Sequence, residues 1–299
     1  MRILVTGANG LVGKKLVKQL VASGKHEVYA TSLKKMQLDG AQTFTSNLQN
    51  ADINNLVEQL KLETIIHCAA LSSPDACEVD RFVCKKMNIE VTSRIASACR
   101  DYSVHLVFLS TDFIFDGIKG NYTEEDAINP ISYYGESKME SENLLKTMGI
   151  PHAVVRTSLV YGYDEKLSRP NILTRVVQNL GKQQKYRVPT DQIRTPTLAE
   201  DLAKGIEMIV DNKKEGLYNI SGGDIVSVAD FATQVAKVFN LDELLLQKVT
   251  TKELSEPAPR PLNSSLVIEK ARRDLNYTPT PLIEGIKIVK SQMNIIGGI

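Results

Sequence analysis

The 299-residue sequence has no tryptophan, almost no net charge and no long apolar run. Its formal charge at pH 7 is +1, so no excess charge attracts nucleic acid or an anionic membrane. No apolar stretch approaches the roughly 20 residues that span a bilayer. The apolar start, MRILVTGANGLVG, is broken by Gly and Asn and predicts a strand and a turn, not a signal peptide. We therefore expect a cytoplasmic protein that binds neither membrane nor nucleic acid.

Cysteine is scarce, and its spacing argues against both metal binding and disulfides. The four cysteines, which never form a C-x-x-C pair, are Cys68, Cys77, Cys84 and Cys99. They lie in apolar or helical segments, where free buried thiols of a reducing compartment are expected. The sequence therefore predicts no metal site.

The first half of the chain alternates between short apolar runs and longer amphipathic stretches. Strands are predicted at 2–6, 27–31, 41–45, 64–70, 105–110 and 152–158, and helices at 11–21, 52–60, 82–99 and 134–148. Such alternation is typical of a parallel sheet with right-handed crossovers. We predict an α/β protein built on a Rossmann-type, doubly wound parallel sheet.

The second half is less regular and suggests a smaller lobe. Helices are predicted near 171–180 and 198–210, and a strand at 217–221 is expected to return to the edge of the sheet. The predicted domains are 1–160, which binds a dinucleotide, and 161–299, a mixed α/β substrate lobe, with 191–225 returning to the sheet.

A glycine-rich turn follows the first strand. Gly7, Gly10 and Gly13 form G-x-x-G-x-x-G and lead into an amphipathic helix, which is the context that a dinucleotide site requires. Bare backbone and a helix N-terminus can then face a pyrophosphate. The cofactor contacts predicted in this turn are Gly7, Asn9, Gly10, Leu11, Val12 and Gly13.

The second strand carries no carboxylate at its end, where NAD sites usually hold the ribose 2′-hydroxyl. Thr31, Ser32, Lys34 and Lys35 occupy the available positions. A hydroxyl and two cations suit a 2′-phosphate. We therefore predict NADP(H), with Ser32 and Lys34 as contacts and NAD(H) as the alternative cofactor. An ordinary solvated lysine pair is the competing interpretation.

Later strands of a parallel sheet end at the same edge, so they extend the predicted site. Asn47 and Leu48 follow the third strand, where an adenine would lie, and Cys68, Ala69 and Ala70 end the fourth. Small residues at the fourth strand let the backbone approach the cofactor's sugars.

Tyr134 and Lys138 are four residues apart on the helix that follows a Pro-containing loop. A phenol has a pKa near 10, too high for an efficient catalyst at neutral pH, and a neighbouring ammonium would lower it. The hydroxyl of Thr111, at the end of the fifth strand, can hold a carbonyl oxygen that receives the proton of the phenol. A half-buried tyrosine beside a solvated lysine is the simpler alternative.

Taken together, TGANGLVG, CAA, LSTDFIFDG and YYGESK resemble the extended short-chain dehydrogenase/reductase superfamily. The segments STDFIFDGIKGNYTEEDAINP, RTPTLAEDLA and PRPLNSSL are similar to its dTDP-4-dehydrorhamnose reductase branch. The resemblance covers nearly the whole chain. It implies NADPH-dependent reduction of the C4 ketone of a 4-keto-6-deoxy sugar nucleotide.

The resemblance also implies roles for individual residues. Thr111, Tyr134 and Lys138 would be catalytic, and Lys138 would also bind the nicotinamide ribose. The residues bordering the sugar would be Asp112 and Phe113, and those flanking the nicotinamide would be Thr157, Ser158 and Leu159. Arg194 and Arg260 would grip the substrate's phosphates, unless they form ordinary surface ion pairs.

Two other functions remain open at this point. A dehydratase of the same fold would need a Glu where Phe113 stands, but an epimerase would not. A non-catalytic, cofactor-binding subunit that resembles the β subunit of methionine adenosyltransferase is the third reading. A nucleotide-sugar substrate is expected for the enzymes, and either a monomer or a homodimer fits the sequence.

Overall fold

The computed structural model describes residues 1–167 and 169–296 and has a seven-stranded parallel sheet at its centre. Along the chain, the strands of this sheet are β1 (Arg2–Thr6), β2 (Glu27–Ser32), β3 (Gln42–Thr45), β4 (Thr64–His67), β5 (His105–Leu109), β6 (His152–Arg156) and β7 (Gly216–Asn219). They lie in the order β7-β6-β5-β4-β1-β2-β3. The predicted doubly wound fold is confirmed.

The strand order reverses beside β1, which pairs with β2 on one side and with β4 on the other. Connections therefore leave this point in opposite directions and open a crevice at the carboxyl ends of the strands. The predicted return of the chain to the sheet is also confirmed, because β7 pairs in parallel with β6 at the edge. The fourth strand ends at His67, three residues earlier than predicted.

The helices are α1 (Leu11–Ser23), α2 (Ile53–Leu60), α3 (Pro74–Val79), α4 (Arg81–Cys84), α5 (Val91–Tyr102), α6 (Tyr133–Met148), α7 (Ile172–Gly181), α8 (Ala199–Asp211), α9 (Val228–Phe239), α10 (Thr251–Leu254), α11 (Glu269–Leu275) and α12 (Leu282–Ile296). A π-helical turn, Lys85–Glu90, joins α4 to α5. Among the described residues, no helix is both long and apolar enough to cross a membrane.

Apolar layers cover both faces of the sheet, as the continuous apolar strands require. Ile3 of β1 packs in the layer that contains α1 and α8, and Leu4 points into the opposite layer with α5. This alternation follows from the two-residue period of a strand. Each fully buried leucine or isoleucine contributes roughly 1.5–3 kcal/mol of hydrophobic stabilisation.

A third apolar cluster lies in the C-terminal half, between α7, α9 and α12. Short strand pairs accompany it: Tyr186–Pro189 with Leu246–Val249 in parallel, and Ile193–Arg194 with Val226–Ser227 antiparallel. The lobe is thus of mixed α/β type, while the boundary at residue 160 stays a prediction. All four cysteines are free thiols, three of them buried and Cys68 partly exposed.

Candidate active site

A cleft of about 630 Å³ lies at the carboxyl ends of the parallel strands. It brings together most of the predicted cofactor residues: Gly7, Asn9, Gly10, Leu11, Val12, Gly13, Ser32, Asn47, Leu48, Cys68, Ala69, Ala70, Thr157 and Leu159. The predicted catalytic and sugar-side residues line the same cleft: Thr111, Asp112, Phe113, Tyr134, Lys138, Arg194 and Arg260. Two predicted residues, Lys34 and Ser158, are not part of this lining.

The glycine turn brings the first and fourth strands close together. Gly7 has a φ of +66°, and a Cβ atom there would lie 2.7 Å from the backbone nitrogen of Ala69. Only glycine fits this position without moving the backbone. Helix α1 then begins at Leu11 with Gly10 as its N-cap and no side-chain cap. The first N–H groups of α1 are therefore left for an anion in the cleft.

The end of β2 presents hydroxyl groups to the cleft. The Thr31 hydroxyl is buried and has no hydrogen-bond partner among the described residues, although Thr31 lines the cleft. Ser32 also lines it, but its hydroxyl donates to the carbonyl of Lys34 at 2.5 Å. The side chains of Lys34 and Lys35 are exposed to solvent. Contact between Lys34 and a 2′-phosphate therefore remains a prediction.

Tyr134 stands on the first turn of α6, directly beside the 3₁₀ turn Asp112–Ile114 that follows β5. Gly135 permits this approach, because a Cβ atom there would lie 2.1 Å from the carbonyl oxygen of Phe113. The Phe113 and Tyr134 rings meet edge to face, with centroids 5.8 Å apart. Close packing of the helix thus places the phenol next to Thr111.

Burial dominates the protonation of the Tyr134–Lys138 pair. It raises the pKa of Tyr134 above its ordinary value, and a hydrogen bond with Thr111 only partly opposes this. Burial also lowers the pKa of Lys138 to about 8, against the opposing charge of Glu142. The Lys138 ammonium lies over the Phe108 ring, 4.1 Å from its centroid. The direction for Tyr134 is opposite to the predicted lowering of its pKa, since loss of water around the phenol disfavours the charged phenolate.

Asp112 is a buried junction between the two halves of the chain. Its Oδ2 accepts hydrogen bonds from Ser158 at 3.0 Å and Ser264 at 2.5 Å, and its Oδ1 accepts one from Thr111 at 3.2 Å. Burial raises the pKa of Asp112, while Arg194, at 3.6 Å, favours the charged form. Ser158 is itself buried, so it contacts Asp112 and not the cleft.

The contacts of Arg194 weaken the prediction that it grips a phosphate. It is 2% exposed, and its guanidinium donates to the backbone carbonyls of Ile193 at 2.7 Å and Pro261 at 2.8 Å, besides facing Asp112. Because these protein acceptors occupy its nitrogens, Arg194 fastens the 261–262 loop to the site. Its burial distinguishes it from a surface ion pair, and its role as a phosphate ligand stays a prediction.

Arg260 is similarly occupied, although it reaches the cleft. Its Nη2 donates to Asp75 at 2.8 Å, and its Nε lies 3.3 Å from Glu256. The guanidinium also lies 5.9 Å from the centroid of Phe113. Two carboxylates already balance its charge, which weakens the prediction that it binds a phosphate.

Two arginines that the sequence analysis missed are better placed to bind an anion. Arg169 and Arg175 line the cleft and are exposed. They flank the start of α7, where Asn171 caps the helix by accepting hydrogen bonds from the N–H groups of Leu173 and Thr174. The sequence signal is the run Arg-Pro-Asn before an amphipathic helix.

The π-helical turn between α4 and α5 presents Asn88 to the back of the site. Its Oδ1 accepts a hydrogen bond from the N–H of Leu71 at 2.8 Å, and its Nδ2 donates to Ser137 of α6 at 3.0 Å. Asn88 therefore ties the segment after β4 to the helix that carries Tyr134, as expected of a structural residue.

Known proteins match this chain over nearly its whole length. The family model described as the RmlD substrate binding domain matches residues 1–294. A dTDP-4-dehydrorhamnose reductase from Aggregatibacter actinomycetemcomitans is 29% identical over 309 residues, covering 97% of this chain and 98% of that protein. Methionine adenosyltransferase 2 subunit beta from Mus musculus is 26% identical over 291 residues, covering 96% of this chain and 86% of that protein. The crystal structure of dTDP-4-dehydrorhamnose reductase from Bacillus anthracis str. Ames in complex with NADP has a TM-score of 0.86 at 26% identity. The match covers 97% of this chain and 99% of that one.

Proposed function

Because the chain belongs to the RmlD substrate-binding domain family, the dTDP-4-dehydrorhamnose reductase branch of the extended short-chain dehydrogenase/reductases, we propose that it reduces the C4 ketone of a 4-keto-6-deoxy sugar nucleotide with NADPH. The observation that carries this proposal is the cleft itself. Thr111, Tyr134 and Lys138 line it together with the Gly7 turn. An acid for the carbonyl oxygen and a cradle for a dinucleotide are therefore part of one site.

The residues present fit a nicotinamide dinucleotide. The Gly7 turn leaves no room for a side chain, and no group in the described part of the chain hydrogen-bonds the Thr31 hydroxyl where it lines the cleft. The glycine turn and the start of α1 would hold the pyrophosphate, and Thr157 and Leu159 would lie beside the nicotinamide. When bound, the cofactor supplies a hydride to C4 of the sugar.

Tyr134 delivers the matching proton to the C4 oxygen. Its raised pKa keeps the phenol protonated at neutral pH, which is the form that a reduction needs. The Thr111 hydroxyl orients the same oxygen, and the Lys138 ammonium stabilises the phenolate that forms as the proton leaves. The reaction requires one hydride and one proton for each ketone reduced.

The nucleotide's phosphates would bind at the start of α7. Arg169 and Arg175 are exposed there, and a helix N-terminus favours anions. Phe113, packed against Tyr134, gives the sugar an apolar wall that suits a 6-deoxy carbon. Arg194 and Arg260 then shape the site by fastening loops and do not bind the phosphates.

The test is a panel of nucleotide 4-ketosugars with different bases, in which NADPH oxidation is followed optically. We expect turnover with at least one 6-deoxy-4-ketosugar and none with the matching 4-hydroxy sugar. Tyr134→Phe is the control, because it removes one oxygen and keeps the ring. If no member of the panel oxidises NADPH faster with wild type than with Tyr134→Phe, the proposal fails.

Cofactor choice is tested separately by titrating NADPH and NADH. We expect tighter binding of NADPH, since no carboxylate stands at the end of β2 to repel a 2′-phosphate. Lys34→Ala combined with Lys35→Ala should weaken NADPH binding and leave NADH binding unchanged. Equal affinity of wild type for both cofactors would contradict the preference.

A cofactor-binding subunit is the second candidate, supported by the similarity to methionine adenosyltransferase 2 subunit beta. Such a protein would bind NADPH in the titration but show no turnover with any ketosugar. It would also co-elute with a methionine adenosyltransferase catalytic subunit from the same organism in gel filtration. Turnover with a ketosugar and separate elution would reject this second candidate.

A further inference from the structure

Glu142 is a buried carboxylate behind the catalytic pair that the proposed reaction does not use. Its side chain is 5% exposed and forms an ion pair with Arg156, whose Nη2 lies 2.7 Å from Glu142 Oε2. The other oxygen, Oε1, accepts a hydrogen bond from the Ser110 hydroxyl at 2.5 Å and one from Arg156 Nε at 3.3 Å. Both carboxylate oxygens thus have charged or hydroxyl partners.

These partners connect three elements that form the site. Ser110 directly precedes Thr111 at the end of β5, and Arg156 is the last residue of β6, directly before Thr157. Glu142 lies on α6, one turn beyond Lys138, which is itself one turn beyond Tyr134. One carboxylate therefore joins the helix of the acid to the two strands whose next residues line the cleft.

We propose that Glu142 is a positioning residue of the active site, which holds α6 against the ends of β5 and β6 and keeps the Lys138 ammonium charged. The second part rests on the proposed function, because only a reductase site needs that ammonium. Glutamine could not replace Glu142 fully. Its amide nitrogen cannot accept a hydrogen bond from Arg156 or Ser110, and it carries no charge.

The groups around Lys138 support a role for the charge of Glu142. The ionisable groups around Lys138 are Tyr134 and Glu142 on its own helix, the Cys77 and Cys84 thiols of α3 and α4, Cys68 after β4, and His67 at the end of β4. Burial raises the pKa of the Cys68 thiol and lowers the pKa of the His67 ring, so both are uncharged at neutral pH. A hydrogen bond between Cys77 and Cys84, with burial, raises the pKa of Cys77, and the same bond lowers the pKa of Cys84. Burial lowers the pKa of Lys138, and Glu142 has the largest effect among the groups that raise it again.

The first experiment measures Lys138 directly, without any substrate. Enzyme labelled with ¹³C-lysine is titrated by NMR, and the Lys138 signal is assigned from the spectrum of Lys138→Met. We expect Glu142→Gln to lower the titration midpoint of Lys138 by about half a pH unit or more. Glu140→Gln is the matched control, because Glu140 is exposed on the same helix and its loss should leave the midpoint unchanged.

A purely structural Glu142 would give a different result. Glu142→Gln would then lower the melting temperature, but the Lys138 midpoint would stay at the wild-type pH, which would overturn the proposal. Should Glu142→Gln fail to fold because Arg156 is left unpaired, Glu142→Gln with Arg156→Met removes both buried charges. The midpoint should fall in this double variant too, but by less than in Glu142→Gln, because the Arg156 cation that opposes Glu142 is also lost. A midpoint that does not fall counts against the proposal.

The second experiment is the pH profile of kcat on an active ketosugar. Glu142→Gln should move the alkaline fall of kcat to lower pH by the same amount as the NMR midpoint, whereas Glu140→Gln should not move it. If the alkaline fall stays in place while the midpoint moves, Lys138 is not the group that limits the rate, and the proposed role fails. Absence of turnover in wild type would count against the reductase function alone, because the NMR titration still tests Glu142.

Discussion

Replacing Lys138 by methionine should inactivate the protein and stabilise it at the same time. Lys138 is 3% exposed, and burial lowers its pKa from the ordinary value of 10.5 to about 8. At pH 7 the unfolded chain and the folded protein both hold the proton, but the folded protein holds it less favourably. Since one pKa unit corresponds to about 1.36 kcal/mol, this burial costs about 3 kcal/mol of stability.

One contact reduces the expected gain. The ammonium lies 4.1 Å from the centroid of Phe108, and a desolvated cation–π contact contributes up to about 2 kcal/mol. Methionine regains part of this through its sulfur against the ring, and its unbranched chain fills the same space. The balance leaves Lys138→Met more stable than wild type by about 1–3 kcal/mol at pH 7. The variant should also lose both turnover and NADPH affinity.

The assay is chemical denaturation of both proteins at pH 7 and pH 10. Because the folded pKa of Lys138 lies below its unfolded value, the cost of burying it is full below pH 8 and disappears as the pH rises to 10.5. The advantage of Lys138→Met should therefore be largest at pH 7 and shrink towards pH 10. Lys146→Met, an exposed lysine on the same helix, should change stability by less than about 0.5 kcal/mol. A variant that is less stable at pH 7, or an advantage that does not change with pH, would refute the reasoning.

Four further predictions concern the chemistry and the arginines. Tyr134→Phe should lower kcat by about 10²–10⁴-fold while NADPH still binds. The control Tyr133→Phe should keep kcat within a few-fold of wild type. Comparable kcat values for the two variants would show that another group is the acid. The wild-type kcat should fall as the pH rises through about 8, the pKa of Lys138, and a rate that is flat to pH 10 would contradict this. Arg175→Met should raise the KM for the sugar nucleotide by about tenfold or more, as loss of a charged hydrogen bond predicts. Arg194→Met should instead lower the free energy of unfolding by about 3–5 kcal/mol, because it leaves Asp112 buried without its cation. A raised KM with unchanged stability would instead support Arg194 as a phosphate ligand.

The parts of this protein that depend on local sequence were predictable. The glycine turn, the strand ends and the Tyr134–Lys138 spacing each follow from the geometry of one element and its immediate neighbour. The common edge of a parallel sheet then brings the ends of β1 to β6 together without further information. This explains why most predicted cofactor residues line one cleft, although their roles stay predictions until ligands are tested.

The contacts of the charged residues were harder to predict, because their partners are distant in the sequence. Arg194 was taken for a phosphate ligand, but it meets carbonyls in the 261–262 loop and a carboxylate 82 residues earlier, at Asp112. The expected lowering of the Tyr134 pKa failed for a related reason. The spacing to Lys138 is visible in the sequence, whereas the depth of burial, which decides the sign, is a property of the packed fold.

The arginines of the cleft differ in solvent exposure, and this difference follows from the contacts that each must make. An arginine that must fasten a loop is buried and saturated with acceptors, because an unpaired buried cation is costly. An arginine that must capture a phosphate has to keep its donors accessible until the ligand arrives. Arg194 meets the first condition, and Arg169 and Arg175, exposed at the start of α7, meet the second. In the proposed site the same cleft would thus use arginine for two opposite purposes, and solvent exposure separates the two where residue type does not.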